Sequence, residues 1–302
     1  MDFEIIRVEE DESNIRIDKF LGDNFENISR SRFQKLISDG LILVNGISVK
    51  NKYLLQAGDE ITILDCPVEE VSIEPEDIPL DILYEDNDLI IVNKPKNMVV
   101  HPAPGHYSGT LVNALMFHCK DSLSGINGEI RPGIVHRIDM NTTGSLIVCK
   151  NDFAHNSIAE QIKVHSVNRI YEGIVKGVLK QDKGTIEGPI GRNPSDRKKM
   201  AINREHGKEA ITHYEVLKRF EKYTYCRFKL ETGRTHQIRV HMASIGHPLL
   251  NDDLYGGECS FKHLEGQCLH AKTIGFIHPT LKEYMEVEAP LPQYFIELLN
   301  KL

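Results

Sequence analysis

An acidic, proline-containing stretch divides this chain before any other feature does. Residues 69–90 carry nine carboxylates (Glu69, Glu70, Glu74, Glu76, Asp77, Asp81, Glu85, Asp86 and Asp88) and no Lys or Arg, and Pro67, Pro75 and Pro79 stiffen the same region. Like charges repel and proline removes a backbone donor, so such a segment packs poorly on itself and reads as a linker. The expected organisation is a small domain over residues 1–68, a linker over 69–80 and a large domain over 81–302. A chain of 302 residues is about twice an average domain and can bury a core without a metal or disulfide staple.

The small domain has clear local grammar. Ile15, Ile17, Phe20 and Leu21 fit one face of a helix, and Ser29 can cap a second helix carrying Phe33, Leu36 and Ile37. Gly40 suits the stop. Leu41–Val44, Asn45-Gly46 and Ile47–Val49 read as strand, tight turn and strand, because Asn and Gly both tolerate positive φ. A last strand is expected over Glu60–Ile63. Residues 28–52 hold Arg30, Arg32, Lys35, Lys50 and Lys52 against Asp39 alone. Guanidinium groups beside free N–H groups at a helix start suit a phosphate, although a solvated helix face explains the same charges.

The large domain reads as strands over Leu89–Asn93, Gly144–Cys149, Asn168–Val175 and Tyr223–Leu230, with a helix over Thr110–His118. Strands and helices do not alternate regularly, which predicts an α+β fold over a doubly wound parallel sheet. Two polar segments adjoin this apolar framework. Gly133–Gly144 holds Asp139 between Arg137 and a Thr142-Thr143-Gly144 turn leading into a strand. Thr232–His241 packs Arg234, Arg239, His236 and His241 beside apolar strand residues. Loops held by rigid strands are where catalysis is usually placed, and an Arg beside a carboxylate keeps it ionised for nucleophilic or charge-stabilising work.

The overall balance is acidic, 36 − 44 = −8, which excludes a uniformly basic nucleic-acid binder but not one with local basic patches. Such patches occur at Arg192, Arg197, Lys198, Lys199 and Arg204, and again at Arg227, Lys229, Arg234 and Arg239. Six cysteines without a C-x-x-C pair, and no signal peptide at the first residues, point to a reducing cytoplasm. Apolar runs such as Leu89–Val92 are too short to span a membrane.

The segment His136-Arg137-Ile138-Asp139-Met140-Asn141-Thr142-Thr143-Gly144 resembles the H-R-L-D-x-x-T-S-G motif of RNA pseudouridine synthases of the RluA/RluD type, with Ile138 for Leu and Thr143 for Ser. Gly233–His241 is similar to that family's second signature. Asn93-Lys94-Pro95, Arg169-Ile170-Tyr171, Gly246-His247-Pro248 and Leu269-His270-Ala271 follow in the expected order, and residues 14–64 resemble the S-four RNA-binding module. The resemblance implies an α+β catalytic domain with a central mixed, mostly antiparallel sheet behind a small α+β RNA-binding domain. It implies isomerisation of uridine in RNA, expected in large-subunit ribosomal RNA or a pre-ribosomal particle, without a cofactor. Asp139 would be the catalytic carboxylate, attacking sugar or base or assisting glycal formation. Arg239 would be its salt-bridge partner. Tyr171 would stack on the target base and help remove a proton, and Ile238 would form the apolar wall. Arg137 would support the loop or contact a phosphate, as an RNA-binding residue, and Arg234, Arg30, Arg32 and Lys35 would contact RNA. A monomer is expected.

Taken singly these residues have plainer readings. Asp139 suits a turn cap through Thr142 or Thr143, Tyr171 a core aromatic, Lys94-Pro95 a strand end closed by proline, and His136, His236 and His241 hydrogen-bonding partners. His136–Asp139 is like a kinase catalytic loop, but no glycine-rich loop precedes it. Cys259, His263, Cys268 and His270 fit no common zinc module, and no metal is expected. A non-catalytic RNA-binding protein and a base-releasing glycosylase are the competing classes; only the former dispenses with Asp139.

Overall fold

In the computed structural model the chain divides into two compact units, Met1–Glu70 and Val71–Leu302. The structure describes residues 4–25, 30–64, 73–102, 106–120, 122–126, 131–196, 199–257, 261 and 264–302.

The first unit runs β1 (Glu4–Arg7), α1 (Ile17–Asn24), α2 (Arg30–Ser38), β2 (Ile42–Val44), β3 (Ile47–Ser48) and β4 (Glu60–Ile63). Its antiparallel sheet has the order β1-β4-β2-β3, in which β1 is an element the sequence patterning did not supply. Phe20 and Leu21 of α1 and Phe33, Leu36 and Ile37 of α2 meet Ile42, Val44 and Ile61 in one core. Asn45 (φ 52°) and Gly46 (φ 75°) make the expected two-residue turn, and Gly40 (φ 75°) ends α2. The proposed cap, Ser29, lies outside the described residues. In the first turn of α1 the fully buried Asp18 accepts hydrogen bonds from Arg16 (2.9 and 2.8 Å) and, on α2, from Arg30 (3.2 and 3.0 Å) and Gln34 (2.6 Å). Burial raises the Asp18 pKa, but the bonds from Arg16, Gln34 and Arg30 outweigh it and hold the carboxyl well below the usual range.

The second unit contains β5 (Ile82–Glu85), β6 (Leu89–Lys94), α3 (Leu111–Cys119), β7 (Thr143–Cys149), α4 (Asp152–Lys163), β8 (Asn168–Lys176), β9 (Lys183–Glu187), β10 (Ile190–Arg192), β11 (Met200–Ile202), β12 (Ile211–Arg219), β13 (Tyr223–Leu230), α5 (Gln237–Ser244), β14 (Leu269–Ile277), β15 (Tyr284–Glu288) and α6 (Gln293–Lys301). Nine strands form one sheet in the order β5-β6-β7-β14-β8-β13-β12-β9, with β15 also paired to β14. Every pairing is antiparallel except the short β7–β14 contact, so the sheet is mixed and mostly antiparallel. Both faces are covered. Ile90 and Val92 of β6 turn toward Leu111 and Leu115 of α3, while Leu89 and Ile91 turn toward Ala154 and Ile158 of α4. That double burial explains the unbroken apolar run read in this strand.

The expected linker over 69–80 is corrected by its described part. Ile73 is buried in the main core, and Ile78 and Leu80 pack against it. The backbone is tied down as well: Glu76 N–H donates to the Asn113 carbonyl (3.0 Å), Asn113 Nδ2 donates to the Glu74 carbonyl (2.8 Å), and Gly109 N–H donates to Glu76 Oε1 (2.9 Å). Charge repulsion did not prevent packing, because the isoleucines and Leu80 supply an apolar edge and Glu76 serves the start of α3. Residues 69–72 lie outside the described residues.

Where β7 meets β14, Gly144 has φ 108°, and a Cβ there would lie 2.2 Å from the Ala271 carbonyl oxygen. Neither the conformation nor the space admits a side chain. Gly144→Ala is expected to destabilise the protein by at least about 3 kcal/mol, through both backbone strain and the clash. Gly40→Ala, with the same sign of φ but its nearest atom 4.0 Å away, is expected to cost only about 1–2 kcal/mol. Urea denaturation of the two variants checks the difference.

Candidate active site

The loop that carries Asp139 is fixed at both ends. Before it, Cys149 N–H donates to the Gly133 carbonyl (2.9 Å), and Ile147 N–H donates to His136 Nε2 (2.9 Å). A histidine ring thus takes a ladder hydrogen bond on the β7 edge, next to the Ile134–Val148 bridge. Burial, with the nearby Arg169 charge, pushes the His136 pKa down to about 3, so the ring is neutral and structural. After it, Thr142 N–H donates to the Asp139 carbonyl (3.0 Å), and Gln267 Nε2 donates to Thr142 Oγ1 (3.0 Å). The turn is therefore closed by the Asp139 backbone, and its carboxylate is left for other work.

That carboxylate is opposite α5. Arg239 Nη1 donates to Asp139 Oδ2 (3.0 Å), while Arg239 Nε and Nη2 grip Asp252 Oδ2 and Oδ1 (2.7 and 2.9 Å). Asp252 is fully buried and also accepts from the N–H groups of Leu254 and Tyr255 (3.1 Å each). The Arg239 guanidinium stacks 5.2 Å from the centre of the Tyr255 ring. Burial opposes its charge, but the Asp252 bonds and the Asp139 charge outweigh burial and hold its pKa above the ordinary arginine value. His236 Nε2 stands 3.9 Å from Asp139 Oδ1, and its Nδ1 pairs with the Tyr255 hydroxyl (2.9 Å). Burial lowers its pKa against the pull of Asp139.

The segment before α5 was expected to adjoin strand residues, and it does follow β13, but Gln237–Ser244 is a helix. Ile238, Arg239, Val240, His241 and Met242 are all buried, so no polar stripe marks the helix in the sequence. Gln237 pins the turn: its Oε1 accepts from Thr232 Oγ1 (2.8 Å) and Arg234 N–H (2.9 Å). His236 enters the helix at φ 57°. His241 bonds Thr212 (2.9 Å) and the Gly188 carbonyl (3.0 Å), a structural role.

Asp139, Arg239, Tyr171, Ile238, Arg137 and Arg234 line one small cavity of about 60 Å³. It adjoins depressions of about 340 Å³ and 420 Å³ that share Arg137 with it. Tyr171, 9 % exposed, opposes Phe228 of β13 and Ala271 of β14. Burial raises the Tyr171 pKa, as does Asp139, against the Arg169 charge, so the phenol is neutral. Arg137 is exposed and makes no ion pair among the described residues, and Arg234 Nε donates to the Glu209 carbonyl (2.9 Å). Not every expected cation belongs here. Arg227 pairs with the buried Glu172 (3.2 Å), and strand alternation puts it and Lys229 on the face away from Phe228 and Leu230. In the first unit, Arg30 is half-exposed but shares Asp18, and Lys35 is exposed. The Arg32 side chain, Arg197, Lys198, Cys259 and His263 lie outside the described residues. Cys268 and His270 are buried, and His270 bonds Thr143 Oγ1 (2.8 Å) and the Ala289 carbonyl (3.2 Å). Among the described residues no three His, Cys, Asp or Glu side chains gather as a metal site, and no helix is long and apolar enough to cross a membrane.

Two contributors escaped sequence reasoning. Asp252 is a loop carboxylate with no motif around it. Lys94 reads in the sequence only as part of a family segment and as a strand end closed by proline. Its buried ammonium donates to the carbonyls of Pro95 (2.6 Å), Met98 (2.9 Å) and Met140 (2.9 Å), and so holds the residue after Asp139. Burial pushes its pKa down to about 7, opposed by the Asp139 charge. Three carbonyls match the three N–H groups of an ammonium, whereas an amine would turn its lone pair on one of them.

The RNA pseudouridylate synthase family model matches residues 88–244, and the S4 domain model matches residues 15–61. The chain is 50% identical over 297 residues to the RNA pseudouridine synthase YlyB of Bacillus subtilis, covering 98% of this chain and 97% of the relative. It is 40% identical over 306 residues to ribosomal large subunit pseudouridine synthase D of Escherichia coli, covering 97% and 92%. Among solved structures, human RNA Pseudouridylate Synthase Domain Containing 1 superposes with a TM-score of 0.58 at 27% identity, covering 75% of this chain and 87% of that one. The chain belongs to the RNA pseudouridine synthase family and carries an N-terminal S4 RNA-binding domain.

Asp252→Asn would leave the Arg239 charge buried with one carboxylate and is expected to cost about 3–5 kcal/mol in chemical denaturation. Lys94→Met would strand three carbonyls and is expected to cost at least about 2 kcal/mol in the same measurement.

Proposed function

We propose that this enzyme isomerises uridines of large-subunit ribosomal RNA, that Asp139 is its catalytic carboxylate and that it uses no cofactor. The observation that carries the reading is the Asp139 side chain itself: released from its own turn and held 3.0 Å from a guanidinium that a second carboxylate fixes. The reaction is an isomerisation in which the bond from sugar to ring nitrogen breaks, the base turns and a bond to a ring carbon forms. That carbon loses a proton and the nitrogen gains one, so no electrons are exchanged and none need be supplied. Asp139 serves as nucleophile toward sugar or base, or as the base that leads to a glycal. In each route Arg239 stabilises the anionic oxygen without donating its own proton.

Tyr171 offers a flat, neutral ring on the cavity wall with Ile238 and Leu269, suited to stacking an extruded pyrimidine. Burial disfavours its phenolate, which weighs toward stacking and against its taking the carbon-bound proton. Arg137 and Arg234 are the RNA contacts of this unit, and Arg30, Arg32 and Lys35 those of the S4 domain. Relatives named ribosomal large subunit pseudouridine synthase D support this substrate class, and an enzyme acting on ribosomal RNA works in the cytoplasm.

Asp139→Asn keeps size and removes charge, and Arg239 keeps its grip on Asp252, so the protein stays folded. Pseudouridine formation is expected to fall by at least about a thousandfold, with RNA affinity within a few-fold of the parent. Pseudouridine mapping of ribosomal RNA from cells carrying either form checks this. Turnover surviving the change would remove Asp139 from the mechanism, and free uracil in the product would indicate a glycosylase.

A further inference from the structure

The chemistry at Asp139 leaves part of the cleft unused. Past Tyr171 lies the depression of about 420 Å³, lined by Arg137, Lys163, His165, Arg169 and Arg234 and by no Asp or Glu among the described residues. Lys163 reaches a carboxylate only on its own helix, Glu160 at 3.1 Å. The acid nearest in sequence to Arg234, Glu231, turns its carboxylate to His213 (2.6 Å).

Arg169 is the anomaly. It is 7 % exposed, yet its side chain makes one hydrogen bond among the described residues, from Nη2 to the Glu231 carbonyl (3.0 Å), and its Nε is buried with no partner there. A buried guanidinium facing other cations and no carboxylate is costly unless an anion completes it. The chain even leaves room for it: a Cβ at Gly233 would lie 2.4 Å from Arg169 Nη1. Arg169 and Tyr171 stand two residues apart on the same face of β8, roughly 7 Å along the strand, a separation on the scale of one nucleotide.

We propose that this depression is a phosphate seat, in which Arg169, joined by Arg137 and Arg234, binds the RNA backbone phosphate adjacent to the nucleotide whose base stacks on Tyr171. The proposal rests on the RNA-modifying reading of the site and adds to it the group that sets strand register. A planar guanidinium with free donors suits two phosphate oxygens at once. Arg169 is thus a binding residue one step removed from the reacting atoms.

The test uses the full-length protein and a short oligouridylate, with affinity measured from about 50 to about 300 mM KCl. Loss of one phosphate contact in Arg169→Gln is expected to reduce the slope of log affinity against log salt by about 0.7. Gly233→Ala, at a position whose backbone admits alanine, should push the guanidinium aside and lower the slope in the same direction. Arg169→Lys should keep the slope but weaken binding several-fold, because the charge stays and the fork is lost. Exposed Lys301→Gln on α6 should match the parent. An Arg169→Gln slope equal to the parent's, with an unchanged melting temperature, overturns the proposal. Should Arg169→Gln not fold, Gly233→Ala decides: a parental slope overturns the phosphate seat, and a reduced one sustains it. Pseudouridine formation by the parent on a ribosomal RNA transcript is measured in parallel. No product there would sink the enzymatic reading while leaving the salt comparison intact.

Discussion

One guanidinium organises the site. Arg239 has five N–H donors in a rigid plane, and the fold spends them on two carboxylates from different loops: Nε and Nη2 on Asp252, Nη1 on Asp139. Burying one cation with one carboxylate would be close to neutral overall; the second carboxylate is the one left with something to do. Asp252 is fully buried and tied to backbone N–H groups, so it acts as the permanent counter-ion. Asp139 remains partly exposed to the cleft. The Asp139 carboxylate is thereby positioned by a helix a hundred residues away in sequence, and not by its own turn.

Rigidity around Asp139 comes from neutral or fully satisfied groups. His136 supplies an acceptor to a strand edge, Gln267 a donor to Thr142, and Lys94 three donors, one of them to the residue after Asp139. His136 and Gln267 add no charge beside the carboxylate; Lys94, with its pKa pushed down to about 7, and His236, whose protonation burial disfavours, are the groups nearby that feel the Asp139 charge. The electrostatic setting of the site is carried by Arg239 and the two aspartates, with the Lys94 ammonium behind the loop.

Much of this was legible in the sequence where the signal was local. The Asn45-Gly46 hairpin, the Gly40 stop, the helix after Thr110 and the strands from Leu89 and Gly144 follow from turn chemistry and apolar runs. The two long motifs contain Asp139 and Arg239, whose side chains lie 3.0 Å apart. What remained hidden had non-local causes. Helix α5 is buried on all sides and shows no amphipathic period. Asp252 matters only through a partner thirteen residues away across a loop. The acidic stretch looked like a spacer because its charges dominate the composition, while Ile73, Ile78 and Leu80 decide where it packs. Arg227 and Lys229 looked like part of a basic cleft until strand alternation turned them to the opposite face.

The brief parallel contact between β7 and β14 covers only Thr143–Gly144 against His270–Ala271 before β14 pairs with β15 from Thr273 onward. The sheet is forked at that point, and the turn that carries Asp139 emerges from the crotch of the fork. The location of the pocket is consequently a property of strand divergence, a feature no surface insertion can shift. Outer loops attached away from the fork can change length without moving the Asp139 carboxylate or the guanidinium that faces it.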